Sequence, residues 1–243
     1  MLAKQFKNIV LVGANSDIGI SIIHQLPLGD NAKLHLVGRT EPKENKFDNL
    51  GISTKFEYCD LEDIPNVKAL FSEPSKFNDA DLVILAAGYL PTENFELNLD
   101  SVEKTIKINA LGTILLISGF LKLMNDGRKG QILILSSVAS IRPRSRNFTY
   151  GASKAILDFY SIGVQNKFKT CNIKVSIGRP GFVFSKMTSN FKPAPFAISV
   201  EKSAQILTKG LLKEKRIIYA PRKLKIVMGI VKYLPKGIFN KLG

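Results

Sequence analysis

Cysteine is scarce in this chain of 243 residues: Cys59 and Cys171 stand far apart, with no metal-ligand spacing and no disulfide framework between them. That leaves out a cysteine-stapled secreted fold and fits a reducing, cytoplasmic setting. Long hydrophobic runs are also missing. The opening run Ile9-Val10-Leu11-Val12 is too short for a signal-peptide core or a membrane span, and no later stretch reads as long and apolar enough to cross a bilayer. There is no internal repeat, low-complexity tract or linker, so a single domain is expected. Acid is short as well: 20 Asp and Glu face 35 Lys and Arg, a net charge of +15. From Lys215 to Gly243 there is no acidic residue at all. Such an excess points to an anionic partner (a membrane surface, a phosphorylated substrate or nucleic acid) or to a basic, solubilising surface. No recognition-helix or RNA-binding signature is present, so no nucleic-acid partner is expected.

What is present is alternation. Apolar strand-like runs at 8–12, 33–37, 53–58, 82–86, 131–135, 174–177 and 217–219 are interleaved with helical segments at 18–25, 65–71, 102–124 and 150–168. This order predicts an α/β fold, a parallel sheet with helices on both faces. The first strand runs into Gly13-Ala14-Asn15-Ser16-Asp17-Ile18-Gly19. A strand, a glycine turn and a helix start form an anion site, because free backbone N–H groups and the helix dipole face a pyrophosphate. Gly13 permits the tight turn, and Gly19 lets helix and strand approach closely. The second strand ends at Gly38-Arg39-Thr40, basic where an acid would bind the ribose of NAD; Arg39 there suits the 2′-phosphate of NADP. The third ends at Cys59-Asp60-Leu61, where Asp60 can accept from an adenine amino group. Equally, Arg39 can be a solvated loop residue and Asp60 a helix cap.

The strongest pattern is Tyr150-Gly151-Ala152-Ser153-Lys154 downstream of Ser136-Ser137. Tyr150 and Lys154 lie four apart and share a helix face. A free phenol titrates near pH 10, too high for easy acid–base work, and a neighbouring ammonium is expected to lower it. Ser137 would reach the same point and orient a carbonyl oxygen.

Together with Asp60, Ala86-Ala87-Gly88, Asn109 and Arg179-Pro180-Gly181-Phe182-Val183, these residues resemble the short-chain dehydrogenase/reductase family along essentially the whole chain. The resemblance implies a single-domain, Rossmann-type, doubly wound parallel sheet flanked by helices over 1–221, with a basic amphipathic extension at 222–243. It implies an NAD(P)-dependent oxidoreductase acting on CH–OH groups, NADP(H) favoured and NAD(H) the alternative, assembled as a homo-oligomer. Asn109, Ser137, Tyr150 and Lys154 would be catalytic: Tyr150 protonates the alkoxide, Lys154 holds the nicotinamide ribose, and Asn109 supports a water-linked proton relay. The cofactor would lie against Gly13 to Gly19 (Asn15, Ser16, Asp17 and Ile18 included), Arg39, Asp60, Leu61, Ala87, Gly88, Pro180, Gly181 and Val183. The chain departs from the family pattern at Val12, at Asp17 (usually the middle glycine) and at Leu85-Ala86.

Two segments bear on the substrate. Arg142, Arg144 and Arg146 lie between Ser137 and Tyr150, beside the mouth, where guanidinium groups can clamp a phosphate or remain a solvated basic loop. Leu224, Val227, Met228 and Val231 recur at helical spacing with Lys225 and Lys232 on other faces, and Leu234, Ile238, Phe239 and Leu242 continue the apolar content. A basic amphipathic helix of this kind lies in a membrane interface or packs on its own domain. Arg142 to Tyr150, Arg179 to Phe191 with Lys192-Pro193-Ala194-Pro195, and Tyr219-Ala220-Pro221 through Phe239 resemble one branch of the family, the polyprenyl-phosphate keto-sugar reductases (decaprenylphosphoryl-2-keto-ribose reductases). That resemblance implies a lipid-linked keto-sugar substrate of cell-envelope synthesis at the inner face of the membrane. A soluble ketone or acyl-carrier substrate, and a non-catalytic NADP sensor, are the alternatives.

Overall fold

The computed structural model describes residues 5–42, 46–73, 76–91, 98–124, 129–235 and 237. Nine strands and seven α-helices follow one another among these residues: β1 (Phe6–Val12), α1 (Asp17–Ile23), β2 (Leu28–Gly38), β3 (Ser53–Tyr58), α2 (Ile64–Ala69), β4 (Leu82–Leu85), α3 (Leu99–Ile106), α4 (Thr113–Met124), β5 (Gly130–Leu135), α5 (Phe148–Lys167), β6 (Ile173–Pro180), β7 (Val183–Phe184), β8 (Ile198–Ser199), α6 (Val200–Leu212), β9 (Ile217–Ala220) and α7 (Leu224–Tyr233). Seven strands form one sheet in the order β3-β2-β1-β4-β5-β6-β9, every pair parallel. β7 and β8 pair apart from it as a two-residue ladder.

Both faces of the sheet's centre are covered, which is why the inner strands β1, β4 and β5 read as near-continuous apolar runs rather than alternating ones. In β1, Val10 and Val12 point to the side where Val67 of α2, Phe120 of α4 and Leu157 of α5 pack. Ile9 and Leu11 point to the other, against Ile22 and Ile23 of α1 and Leu207 and Leu211 of α6. The chain leaves β1 in opposite directions, to β2 and later to β4, so a crevice opens above their carboxyl ends.

Three expectations need correction. The sequence pattern passes over α6, whose inward residues Ala204, Leu207 and Leu211 have polar neighbours that dilute the stripe. The helix expected over 102–124 is continuous from Leu99 to Met124 but holds a π turn at Lys107–Gly112, where Thr113 Oγ1 donates to the carbonyl of Ile108 at 3.0 Å. Those 26 residues are also long and apolar enough to cross a membrane, contrary to the reading that no stretch is. Half of the helix's most apolar 18 residues are buried in the protein, with Leu116, Ile117 and Phe120 sealed against the sheet, as in a core helix.

The amphipathic C-terminal segment is α7, and the expected stripe is the face it turns toward its own domain. Leu224 and Met228 are buried on the domain and Val227 and Val231 are half-buried, while Ile226 (71% exposed), Ile230 (60%) and Tyr233 (80%) face outward. Ile238, Phe239 and Leu242 lie outside the described residues.

Candidate active site

A cleft of about 370 Å³ opens at the carboxyl ends of β1 and β4. Its floor is the turn after β1. Gly13 has φ +92°, and a Cβ there would sit 2.6 Å from the backbone N of Ala87, so only glycine lets the turn lie against the loop after β4. Gly19 faces inward instead: a Cβ would meet Leu11 at 2.8 Å and Ala86 at 3.0 Å, so it seats α1 on the sheet. Ser16 caps α1, accepting from the backbone N–H of Gly19 at 3.2 Å. Asn15 Nδ2 donates to the carbonyl of Thr40 at 2.8 Å and so fixes the turn to the loop that carries Arg39.

Of the residues expected to face a cofactor, Gly13, Asn15, Ser16, Asp17, Ile18, Arg39, Asp60, Leu61, Ala87, Gly88, Tyr150, Lys154 and Pro180 line this cleft. Arg39 is exposed on the rim, the first residue after β2. Asp60 does not cap α2; that role belongs to Asp63, and Asp60 Oδ1 accepts from the backbone N–H of Glu62 at 3.0 Å. Gly181 and Val183 lie off the wall. A Cβ on Gly181 would fall 2.5 Å from Leu224, so it seats α7, and Val183 is buried in β7.

Asp17, which stands where the family pattern has a glycine, has a partner in a strap that sequence reasoning missed. Its Oδ2 accepts from the backbone N–H of Lys186 at 2.8 Å, with Lys186 Nζ 3.6 Å from Oδ1. Ser185, Lys186 and Met187 line the cleft, so the strap spans from the end of β7 to the start of α1. No local pattern marks a bond between residues 169 apart. Ser136 is a second residue left unassigned. Its Oγ is buried on the cleft wall without a protein partner among the described residues, which suits a site made for a polar ligand.

The four expected catalytic residues come together. Tyr150 and Lys154 share a face of α5, with Lys154 Nζ 5.8 Å from the Tyr150 ring centre. Ser137 precedes a 3₁₀ turn (Val138–Ser140), accepts from the backbone N–H of Ala139 at 3.1 Å, and hydrogen-bonds the Tyr150 hydroxyl. Lys154 Nζ donates to the carbonyl of Leu135 at 3.1 Å. Asn109, fully buried in the π turn, is a clamp: its Oδ1 accepts from the N–H of Tyr89 at 2.8 Å, and its Nδ2 donates to the carbonyl of Tyr89 at 2.7 Å and to Ser153 Oγ at 3.1 Å. One lone pair of Oδ1 is left over. A Cβ on Gly88 would make ordinary contact with that oxygen at 3.5 Å, with Met187 Cε at 3.5 Å and with Lys154 Nζ at 3.6 Å, so these three groups converge on Gly88.

The electrostatics correct one expectation. Burial pushes the Tyr150 phenol up to about 12, against the downward pull of the Ser137 hydrogen bond, so the lysine does not bring it toward neutrality. Burial also pulls Lys154 down to about 8, with the Asp158 carboxylate acting in the opposite sense. A phenol held protonated at neutral pH is a proton donor rather than a base.

None of the three arginines expected at the mouth lines the cleft. Arg142 Nη1 donates to the carbonyls of Val231 at 2.7 Å and Leu234 at 2.6 Å, capping the C-terminal end of α7. Arg144 and Arg146 are exposed. The two cysteines are free, and Cys59, buried beside Asp60, has its thiol pushed up to about 12 by burial, which makes it inert.

This geometry has relatives. An uncharacterized oxidoreductase of Streptomyces coelicolor is 27% identical over 244 residues, covering 97% of this chain and 96% of its own. An uncharacterized oxidoreductase of Mycobacterium tuberculosis is 27% identical over 179 residues, 73% of this chain and 71% of the relative. In fold, the crystal structure of a short chain dehydrogenase from Burkholderia cenocepacia in complex with NADP is similar with a TM-score of 0.82, at 16% identity and 98% of both chains. The family model for short chain dehydrogenase matches residues 7–195. The chain therefore belongs to the short chain dehydrogenase family, a family of oxidoreductases.

Proposed function

We propose that this protein is an NADP(H)-dependent reductase that delivers a proton from Tyr150 to the carbonyl oxygen of its substrate. The observation that carries this reading is the Ser137–Tyr150–Lys154 group, its serine and lysine buried and its tyrosine on the wall of an open cleft whose rim carries Arg39 at the end of β2. A nicotinamide cofactor supplies the hydride when it is bound, and the Burkholderia neighbour holds NADP. The turn from Gly13 to Ile18 offers backbone N–H groups to a pyrophosphate, and Arg39 suits a 2′-phosphate, which places NAD(H) second. Lys154 would hold the ribose hydroxyls. Ser137 orients the carbonyl oxygen and donates to the developing charge, while Tyr150, still protonated, gives up its phenolic proton. Asn109 keeps the loop of Gly88 and Tyr89 against α5, and a water on its remaining lone pair would link it to Lys154.

For the substrate we favour a polyprenyl-phosphate-linked keto-sugar of cell-envelope synthesis. Arg144 and Arg146 remain available for its phosphate, and the outward face of α7, in the basic extension at 222–243, would meet a membrane surface as a peripheral contact. A soluble ketone or an acyl-carrier substrate is the second reading, favoured by the same exposed arginines, which an acidic carrier would also meet. A homo-oligomer is part of the proposal. Phe159 (84% exposed) and Ile156 stand out on α5, beside a groove between α4 and α5 lined by Leu121 and Tyr160.

The test is oxidation of NADPH and NADH by the purified protein, given either a membrane-lipid extract or an aqueous metabolite extract of its source, with Tyr150→Phe as the blank. The reading expects NADPH oxidation with the lipid extract and loss of turnover in the variant, whose cofactor affinity stays within about twofold. Turnover that survives in Tyr150→Phe defeats the catalytic assignment. Oxidation with the aqueous extract alone removes the lipid-linked substrate.

A further inference from the structure

Behind the catalytic group lies a buried ion pair that the reaction as described does not use. Asp158 is one helical turn beyond Lys154 on α5 and two beyond Tyr150, on the same face. Its Oδ2 lies 2.8 Å from Arg179 Nη2, with the two side chains 8% and 11% exposed. The same oxygen accepts from Ser140 Oγ at 2.6 Å. Ser140 is the last residue of the 3₁₀ turn that starts from Ser137, and its Oγ is also 2.7 Å from the Ser137 carbonyl. On the far side, Arg179 Nη1 donates to the Tyr219 hydroxyl at 2.7 Å, joining β6 to β9.

The pair is poorly arranged as a stability device. Asp158 Oδ1 and Arg179 Nε are buried and have no partner among the described residues. A buried ion pair with unsatisfied atoms is no more stabilising than apolar side chains of similar volume. Its position explains it better. The groups around Lys154 are Tyr150 and Asp158 on its own helix, the Leu135 carbonyl from β5, Asn109 in the π turn, Gly88 after β4 and Met187 of the strap, with Arg179 of β6 behind Asp158. Asp158 is the one carboxylate acting on Lys154 among the described residues. Arg179 and Ser140 both hold its Oδ2, so it pulls on the ammonium through space rather than pairing with it.

We propose that Asp158, held by Arg179, is a positioning residue that sets both halves of the catalytic group: through Ser140 it fixes the turn carrying Ser137, and by its charge it keeps Lys154 protonated. This rests on the reading of Ser137, Tyr150 and Lys154 as the catalytic group, and the two ideas fail separately.

The test pairs two substitutions in the full-length protein. Asp158→Asn removes the charge and keeps a hydrogen-bonding group; Ser140→Ala removes the tether and keeps the charge. The Lys154 ammonium is titrated by nitrogen-15 NMR, assigned by its loss in Lys154→Met, and turnover is followed with NADPH and 9,10-phenanthrenequinone as the probe carbonyl. Asp158→Asn is expected to move the Lys154 midpoint down by about one pH unit, and Asp158→Glu to restore it. Ser140→Ala is expected to leave the midpoint in place and slow turnover by roughly tenfold, with the KM for NADPH within about twofold. A midpoint unchanged in Asp158→Asn overturns the proposal, as does unchanged turnover per folded molecule in Ser140→Ala, because a structural pair would lower only the melting temperature. If Tyr150→Phe keeps its turnover while the midpoint still moves, the catalytic reading fails and the Asp158–Lys154 coupling stands.

Discussion

Lys154 is 4% exposed and among the described residues donates to one carbonyl, that of Leu135, so its ammonium works against folding. Its folded value is about 8 against an ordinary 10.5. Between those values the unfolded chain keeps a proton that the folded chain has lost, so the contribution of Lys154 to stability rises with pH across that window. Below pH 8 both states are protonated, and the full cost is roughly 3 kcal/mol by the size of the shift. Lys154→Met should therefore gain more stability over the wild type at pH 7 than at pH 10, by about 2–3 kcal/mol. Urea unfolding of both proteins at the two pH values measures this, and a pH-independent difference would mean that the lysine is not held at a lowered value. At this scale the sequence was a good guide to Tyr150 and Lys154, because spacing of four on a helix is local information. It was a poor guide to their titration, which depends on burial, and to Asp158, whose partners Ser140 and Arg179 arrive from other elements. Arg142 is a similar case: a basic loop residue in the sequence, it is spent on the carbonyls that end α7.

Elements show the same division between local and distant causes. Each expected strand is present; the inner ones, β1, β4 and β5, announce themselves as buried apolar runs between turn residues, while the exposed edge strand β3 does not. β2 starts five residues earlier than the pattern, since Leu28 pairs with Phe6 across an irregular register before Lys33 meets Asn8. The π turn in the long helix leaves no trace in the apolar period, yet it carries Asn109. The strap over the cleft depends on Asp17, whose carboxylate accepts from a backbone N–H, a charge-assisted bond of about 1.5–3 kcal/mol, whereas its exposed contact with Lys186 Nζ adds little. Asp17→Ala is expected to speed amide exchange at Lys186 by roughly tenfold or more, without a comparable change in the strands of the sheet. Hydrogen exchange resolved by residue measures this in the absence of cofactor, and unchanged protection at Lys186 would show that the strap is held by its own turn at Ser185–Thr188.

On the scale of the whole molecule, the excess of 15 positive charges is distributed unevenly along the chain, and the acid-free stretch from Lys215 includes α7. That helix is fastened to the domain at both ends, by Leu224 against Gly181 and by Arg142 at its last carbonyls, so its outward face is fixed relative to the cleft mouth. Ile226, Ile230 and Tyr233 on that face bracket Gly229 and are rimmed by Arg222, Lys223 and Lys225, all exposed. A second copy of the same basic surface would be repelled, whereas an anionic bilayer would gain both apolar burial and charge neutralisation. Each basic group near such a surface adds about 1 kcal/mol, screened by salt. The protein should therefore float with vesicles containing anionic lipid and not with zwitterionic ones, and raising salt from 0.1 to 0.5 M should release most of it. Ile226→Glu with Ile230→Glu should abolish flotation while leaving turnover of a soluble probe carbonyl within about twofold, because neither side chain lines the cleft. Flotation that is indifferent to lipid charge, or unchanged in the double variant, would remove the membrane from the proposal and leave this face to a protein partner.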